Sequence, residues 1–173
     1  MKTSENGKNL IKSFEALSST VKGKNVPTQN FNFGGDIFPY IDDVGVCTIG
    51  FGSTYFPDGS EVTMDCDPIN AKKASEIFDA CLESFENFVN DSVKNHLTQN
   101  QFDACVCFCY NVGKDAFGSS SLLKKININT HDLSIAGEFG KWCHGTVDGK
   151  MIELAGLKNR RQKESDLYFK DVL

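Results

Sequence analysis

The Asp42 carboxylate, the Thr48 hydroxyl and three glycines fall close together in Tyr40-Ile-Asp42-Asp43-Val-Gly45-Val-Cys-Thr48-Ile-Gly50-Phe-Gly52, and a further carboxylate, Glu15, lies on a helical segment upstream. These residue types suit the cleavage of an acetal. Acid-catalysed attack on a glycosidic bond needs one carboxyl to protonate the leaving oxygen, and a second polar group to hold a water or stabilise positive charge at the anomeric carbon. Glu15 suits the first role, because Leu10, Ile11, Phe14 and Leu17 give it an apolar neighbourhood that favours the neutral acid. Asp42 and Thr48 suit the second. Each of these residues alone reads as a solvated surface group. Their order and spacing carry the reading.

The run Leu10-Ile-Lys-Ser-Phe14-Glu15, followed by Tyr40-x-Asp42-x-x-Gly45-x-x-Thr48-Ile-Gly50-Phe-Gly52, resembles the catalytic signature of the phage-type lysozymes, the endolysins of glycoside hydrolase family 24. Two later blocks agree with it, Leu97-Thr-Gln-Asn-Gln-Phe-Asp-Ala104 running to Tyr110-Asn-Val-Gly113, and Gly156-Leu-Lys-Asn-Arg160-Arg161-Gln-Lys-Glu164. The resemblance spans nearly the whole chain in the right order. It implies that Glu15 is the catalytic glutamate, Asp42 the catalytic aspartate and Thr48 the threonine that positions the attacking water. Arg160 matches an arginine that approaches the glutamate from the C-terminal helix. Tyr110, Thr54 and Ser120 fall at substrate-binding positions of the cleft; for Tyr110 the alternative is an ordinary core aromatic.

The fold implied is α+β and lysozyme-like, with a small N-terminal lobe bearing a short antiparallel sheet and a larger all-helical C-terminal lobe, residues 1–173 forming one catalytic domain. The activity implied is hydrolysis of the β-1,4 bond between N-acetylmuramic acid and N-acetylglucosamine in peptidoglycan, without metal or cofactor. Direct displacement with inversion is the family's course, although stereochemistry depends on the carboxyl separation. A lytic transglycosylase is the alternative among enzymes, and Asp42 and Thr48 argue against it. The alternative from another class is a peptidoglycan-binding or structural protein without turnover. The complete Glu, Asp, Thr and Arg set weighs against that one.

The chain departs from the family between its two carboxylates. An insertion of about 18–36 intervenes, and Lys22-Gly-Lys-Asn-Val-Pro27-Thr-Gln-Asn-Phe31-Asn-Phe33-Gly34-Gly35-Asp36 has the composition of a loop or irregular hairpin. Closure entropy grows only logarithmically with loop length, so the insertion need not displace Glu15. Phe31 and Phe33 could give it a sugar-stacking rim. Ala16 replaces the glycine that usually follows the glutamate.

Patterning supplies the elements that position these residues. Thr3 or Ser4 can cap a first helix to about Leu17, and Ile37 to Phe56 reads as short antiparallel strands. Asp67-Pro68 reads as the start of a long amphipathic helix. Thr98-Gln-Asn-Gln101 is a capping box opening an apolar helix, Phe102 to Val112, that Gly113 stops. Further helices are expected over Ser119 to Ile126, Asp132 to Trp142 and Leu157 to Phe169.

The 173 residues suit one domain, and no apolar run approaches a membrane span. The N-terminus lacks a secretory core, and seven cysteines, an odd number, fit reduced thiols in a cytosol. Release by a holin or another membrane lesion is therefore expected of a wall-degrading enzyme. The net charge of −5 is unusual against an anionic wall, and Lys158, Arg160, Arg161 and Lys163 offer local compensation. A monomer acting on peptidoglycan is expected, with neither nucleic acid nor stable membrane insertion. Cys105-x-Cys107-x-Cys109 reads as small buried thiols, because only Cys105 and Cys109 share a helix face.

Overall fold

The computed structural model describes residues 1–15, 19–21, 24–26, 36–42, 45–147 and 149–171, with 19–21 and 24–26 described by backbone alone. In chain order the elements are α1 (Glu5–Phe14), β1 (Ser19–Val21), β2 (Lys24–Val26), β3 (Tyr40–Ile41), β4 (Cys47–Thr48), α2 (Ala71–Ser92), α3 (Gln99–Val112), α4 (Lys114–Ser119), α5 (Ser121–Ile128), α6 (Ile135–Gly140), β5 (His144–Val147), β6 (Lys150–Glu153) and α7 (Ala155–Phe169). The strands form three separate antiparallel hairpins, β1–β2, β3–β4 and β5–β6. The class is α+β, mostly helical. The chain divides into two compact units, Lys12–Ser84 and Met1–Ile11 with Phe85–Leu173.

In the unit Lys12–Ser84, Ile37, Ile49, Val62 and Ala74 form a buried cluster, with Cys47, Phe51, Phe56 and Ile69 packed against it. Ile37 and Ile69 exchange both backbone hydrogen bonds, at 2.7 and 2.9 Å. That bridge moves the start of α2. The sequence places its cap at Asp67 and its first turn at Pro68, but Ile69 is held extended by Ile37, and the helix begins after Asn70. The Asn70 Oδ1 accepts from the Lys73 amide at 2.8 Å, and its carbonyl accepts from the Ala74 amide at 2.9 Å. Gly50 then seats the β3–β4 hairpin on α2: its φ is +61°, and a Cβ there would stand 3.3 Å from that of Ala74.

In the other unit, α3 is buried from Gln101 to Cys109. The capping box forms as its sequence dictates, with the Thr98 hydroxyl accepting from the Gln101 amide and the Gln101 side chain accepting from the Thr98 amide. Phe108 sits among Phe117, Phe139 and Trp142, with ring centroids 5.4 to 6.2 Å away. Ser4 caps α1, because its hydroxyl accepts from the Gly7 amide at 3.2 Å. The same hydroxyl donates to the buried Asp103 on α3. A Cβ on Gly7 would lie 2.6 Å from Asp103 Cγ, so glycine lets the two helices meet.

Several boundaries differ from the pattern. Among the described residues α1 ends at Phe14, and Glu15 stands in a bend. The segment expected as one helix, Asp132 to Trp142, contains only α6, because an Asp132 turn precedes it, accepting from the Ser134 and Ile135 amides. The lobe expected to be all-helical carries β5–β6, in which His144 to Val147 pair with Glu153 to Lys150. Gly149, with φ +73°, supplies a turn conformation that favours glycine. Within the insertion, β1 and β2 form a hairpin with Ser19 opposite Val26. Phe31 and Phe33 lie outside the described residues.

Candidate active site

The β3–β4 hairpin carries Asp42 and Thr48 on one face. Its register pairs Tyr40 with Thr48 and Ile41 with Cys47, so Asp42 opposes Val46, and alternation sends Tyr40, Asp42, Val46 and Thr48 to the same side. Cys47 takes the other side and packs on the core cluster. Burial pushes the Cys47 thiol up, with Cys66 nearby adding to the effect. Asp42 and Thr48 are diagonal neighbours, a relation that sets Cα atoms roughly 7–8 Å apart.

Val46 fixes both side chains. The Asp42 Oδ1 accepts from the Val46 amide at 2.8 Å, and the Thr48 hydroxyl donates to the Val46 carbonyl at 3.1 Å. The turn is closed by the Gly45 amide donating to the Asp42 carbonyl at 3.0 Å, and Gly45 has φ +85°. Thr48 is 2% exposed, so its hydroxyl is no ordinary surface group. With its hydrogen given to Val46, the oxygen presents lone pairs to a donor such as water.

Glu15 is half-buried, one residue beyond α1 and within the same compact unit as Asp42 and Thr48. Three residues before it, Lys12 places its Nζ 5.0 Å from the Phe51 ring centre and 4.9 Å from that of Phe78, all within this unit. Thr54, half-buried in that unit, accepts from the Val62 amide through its carbonyl at 2.9 Å.

Arg160, Tyr110 and Ser120 belong to the other unit. Arg160, on α7, is buried and donates from Nε to Glu164 Oε1 at 3.2 Å. Tyr110 is half-buried in the last turn of α3, its ring 5.0 Å from that of Phe85. Ser120 is buried, and its hydroxyl caps α5, accepting from the Leu123 amide at 3.1 Å and donating to the Phe117 carbonyl at 2.6 Å. The hydroxyl of Ser120 is thus committed to backbone.

Glu164 received no role from the sequence, and Arg161 only a share in a cationic cluster offsetting the net charge; Arg160 and Arg161 are instead buried and paired with Glu164. The structure puts Glu164 and Arg161 among the most buried charged groups of the chain. The spacing Arg160-Arg161-x-x-Glu164, with acid at i+4 and i+3 from two arginines, is the signal that would have found them. The three α3 thiols are buried as expected, and burial pushes each upward, Cys109 to about 12.

Comparison with known proteins bears on this arrangement. Residues 33–164 match the profile of the Phage lysozyme family, a range that includes Asp42, Thr48 and Arg160 and begins after Glu15. Over 97% of its length the chain is 39% identical to the endolysin of Bacillus phage PZA and 36% identical to that of Bacillus phage B103. It spans about half the length of these curated relatives, 55% and 54%. Among solved structures, the endolysin from Escherichia coli O157:H7 phage FAHEc1 superposes with a TM-score of 0.79 at 34% identity, covering 99% of this chain and 96% of that one. No described helix is long and apolar enough to cross a membrane. With a family profile matching most of its residues and the fold shared across its length, the chain belongs to the phage lysozyme family, a family of glycoside hydrolases.

Proposed function

We propose that the protein hydrolyses the β-1,4 bond between N-acetylmuramic acid and N-acetylglucosamine in bacterial peptidoglycan and serves lysis of the host cell, with residues 1–173 acting as one catalytic domain. Glu15 is the general acid that protonates the leaving glycosidic oxygen. Asp42 carries the negative charge that stabilises the oxocarbenium-like centre and holds the attacking water. Thr48 orients that water through the hydroxyl oxygen, and Arg160 is the counter-ion of Glu15. Water attacks the face opposite the departing sugar, giving inversion.

The observation that carries this reading is the joint anchoring of Asp42 and Thr48 on Val46. A carboxylate and a hydroxyl on one hairpin face, each locked by backbone, are pre-organised to hold a water without reorganisation at the moment of reaction. The identities to named endolysins over almost the whole chain support the same substrate class.

Purified peptidoglycan digested by the protein tests it. Hydrolysis releases new reducing ends at N-acetylmuramic acid. Anhydro ends in their place would assign a lytic transglycosylase, and binding with no release would assign a module without turnover.

A further inference from the structure

We infer that the cavity between α6, the β5–β6 hairpin and α7 is a binding site for a small carboxylate, held by the Arg161 guanidinium at its floor. The site lies within the unit formed by Met1–Ile11 and Phe85–Leu173, and the proposed hydrolysis does not use it.

The cavity has a volume of about 200 Å³, below the ~300 Å³ at which sites for drug-sized ligands begin, so it suits a small group. Ala136 of α6 and the Glu153–Lys158 ion pair stand at its exposed rim. Cys143, Arg161 and Ser165, all buried, form its floor.

Most of the Arg161 guanidinium is already committed. Its Nη2 donates to Glu164 Oε1 at 2.8 Å and to Asn111 Oδ1 at 2.9 Å, its Nε lies 2.7 Å from Glu164 Oε2, and its face stands 4.7 Å from the Phe108 ring centre. Nη1 is the exception, buried and without a hydrogen-bond partner. A buried charged donor with no acceptor is costly, and a cavity against the same side chain leaves room for an acceptor brought by a ligand.

The surrounding charges select that ligand. Glu153 accepts from Lys158 through Oε1 at 2.9 Å and from the Cys143 thiol through Oε2 at 3.7 Å, so the rim carboxylate is compensated. A phosphate dianion would still meet Glu153 at the rim and Glu164 beyond Arg161, with one guanidinium to offset both. A carboxylate brings a single charge and matches the planar donors of the guanidinium. A free carboxylate and the carboxyl end of a peptide share this chemistry.

The ¹⁵N-labelled chain is titrated with acetate, N-acetylalanine, N-acetylalanine amide and inorganic phosphate, and the amide resonances of Cys143, Arg161 and Ser165 report occupancy. N-acetylalanine should bind with a Kd on the order of 1 mM, the scale of a fragment with one charged contact. Tighter binding of N-acetylalanine than of acetate supports the site with a peptide terminus as its ligand, and equal binding supports it with a free carboxylate. Ala136→Leu fills the cavity from α6 and leaves Arg161 with its partners, whereas Arg161→Met removes the donor. Each should weaken N-acetylalanine by about tenfold or more, the worth of a hydrogen bond to a charged group. Should Arg161→Met fail to fold, Ala136→Leu decides alone. The proposal would be overturned by no saturable shift at these amides below about 50 mM carboxylate, by equal binding of the uncharged amide, by phosphate binding tighter than both carboxylates, or by native affinity in Ala136→Leu. Binding is the readout here, so each of these results leaves the proposed hydrolysis untouched.

Discussion

Asp42 and Thr48 are held by the two ends of a single residue's backbone: the Val46 amide donates to the Asp42 carboxylate at 2.8 Å, and the Val46 carbonyl accepts from the Thr48 hydroxyl at 3.1 Å. That carbonyl also accepts from the Asp42 amide at 2.9 Å. The hairpin thereby couples the two side chains proposed to hold the nucleophilic water.

Thr48→Val keeps the shape and deletes the hydroxyl. The Val46 carbonyl retains the Asp42 amide as partner, so no buried acceptor is orphaned, and stability should change by less than about 1 kcal/mol. Turnover of peptidoglycan should fall by about 10²-fold, as for a lost group acting near the transition state. Unchanged turnover would leave Thr48 a structural role only.

Gly50→Ala tests the seat of the hairpin. The side chain would be forced into the left-handed region at φ +61° and against Ala74 at 3.3 Å. Urea unfolding should report a loss of about 1–2 kcal/mol, the cost of that conformation for an L residue.

Glu138 supplies an acid limit to stability. The Lys141 ammonium at 2.6 Å, the Ser121 hydroxyl and the Lys125 ammonium at 3.0 Å hold its buried carboxyl down at about 2, against an ordinary value of 4.5. Because the folded-state value is depressed, its contribution is complete above pH 4.5 and is lost as pH falls toward 2. The melting temperature of Glu138→Gln should fall less steeply across that window than that of the native chain. Parallel curves would show that the carboxylate contributes nothing through its charge.

Features written in local sequence were legible and features set by distant contacts were not. The Thr98 capping box and the Gly113 stop need only neighbouring residues, and both form where they are read. The β3–β4 hairpin is legible for the same reason, through the glycines and β-branched residues around Asp42 and Thr48. The start of α2 was misplaced because Ile69 bonds to Ile37, a partner far along the chain. Ser120 offers the same hydroxyl to a cleft or a helix cap, and only the structure shows it bound to Leu123 and Phe117. The β5–β6 hairpin escaped notice because its strands are exposed and mixed in character, with no alternation to betray them. Glu164 lay in a quoted motif, yet its significance depends on burial against α3, which no spacing reveals.

Glu15 is the proposed proton donor, and Glu15→Gln tests that role directly. An amide cannot supply the proton, so reducing ends released from purified peptidoglycan should fall by about 10² to 10⁴-fold, the usual worth of general acid catalysis, with thermal unfolding unchanged within about 0.5 kcal/mol. A folded Glu15→Gln protein that retains more than about a tenth of native turnover would contradict the account.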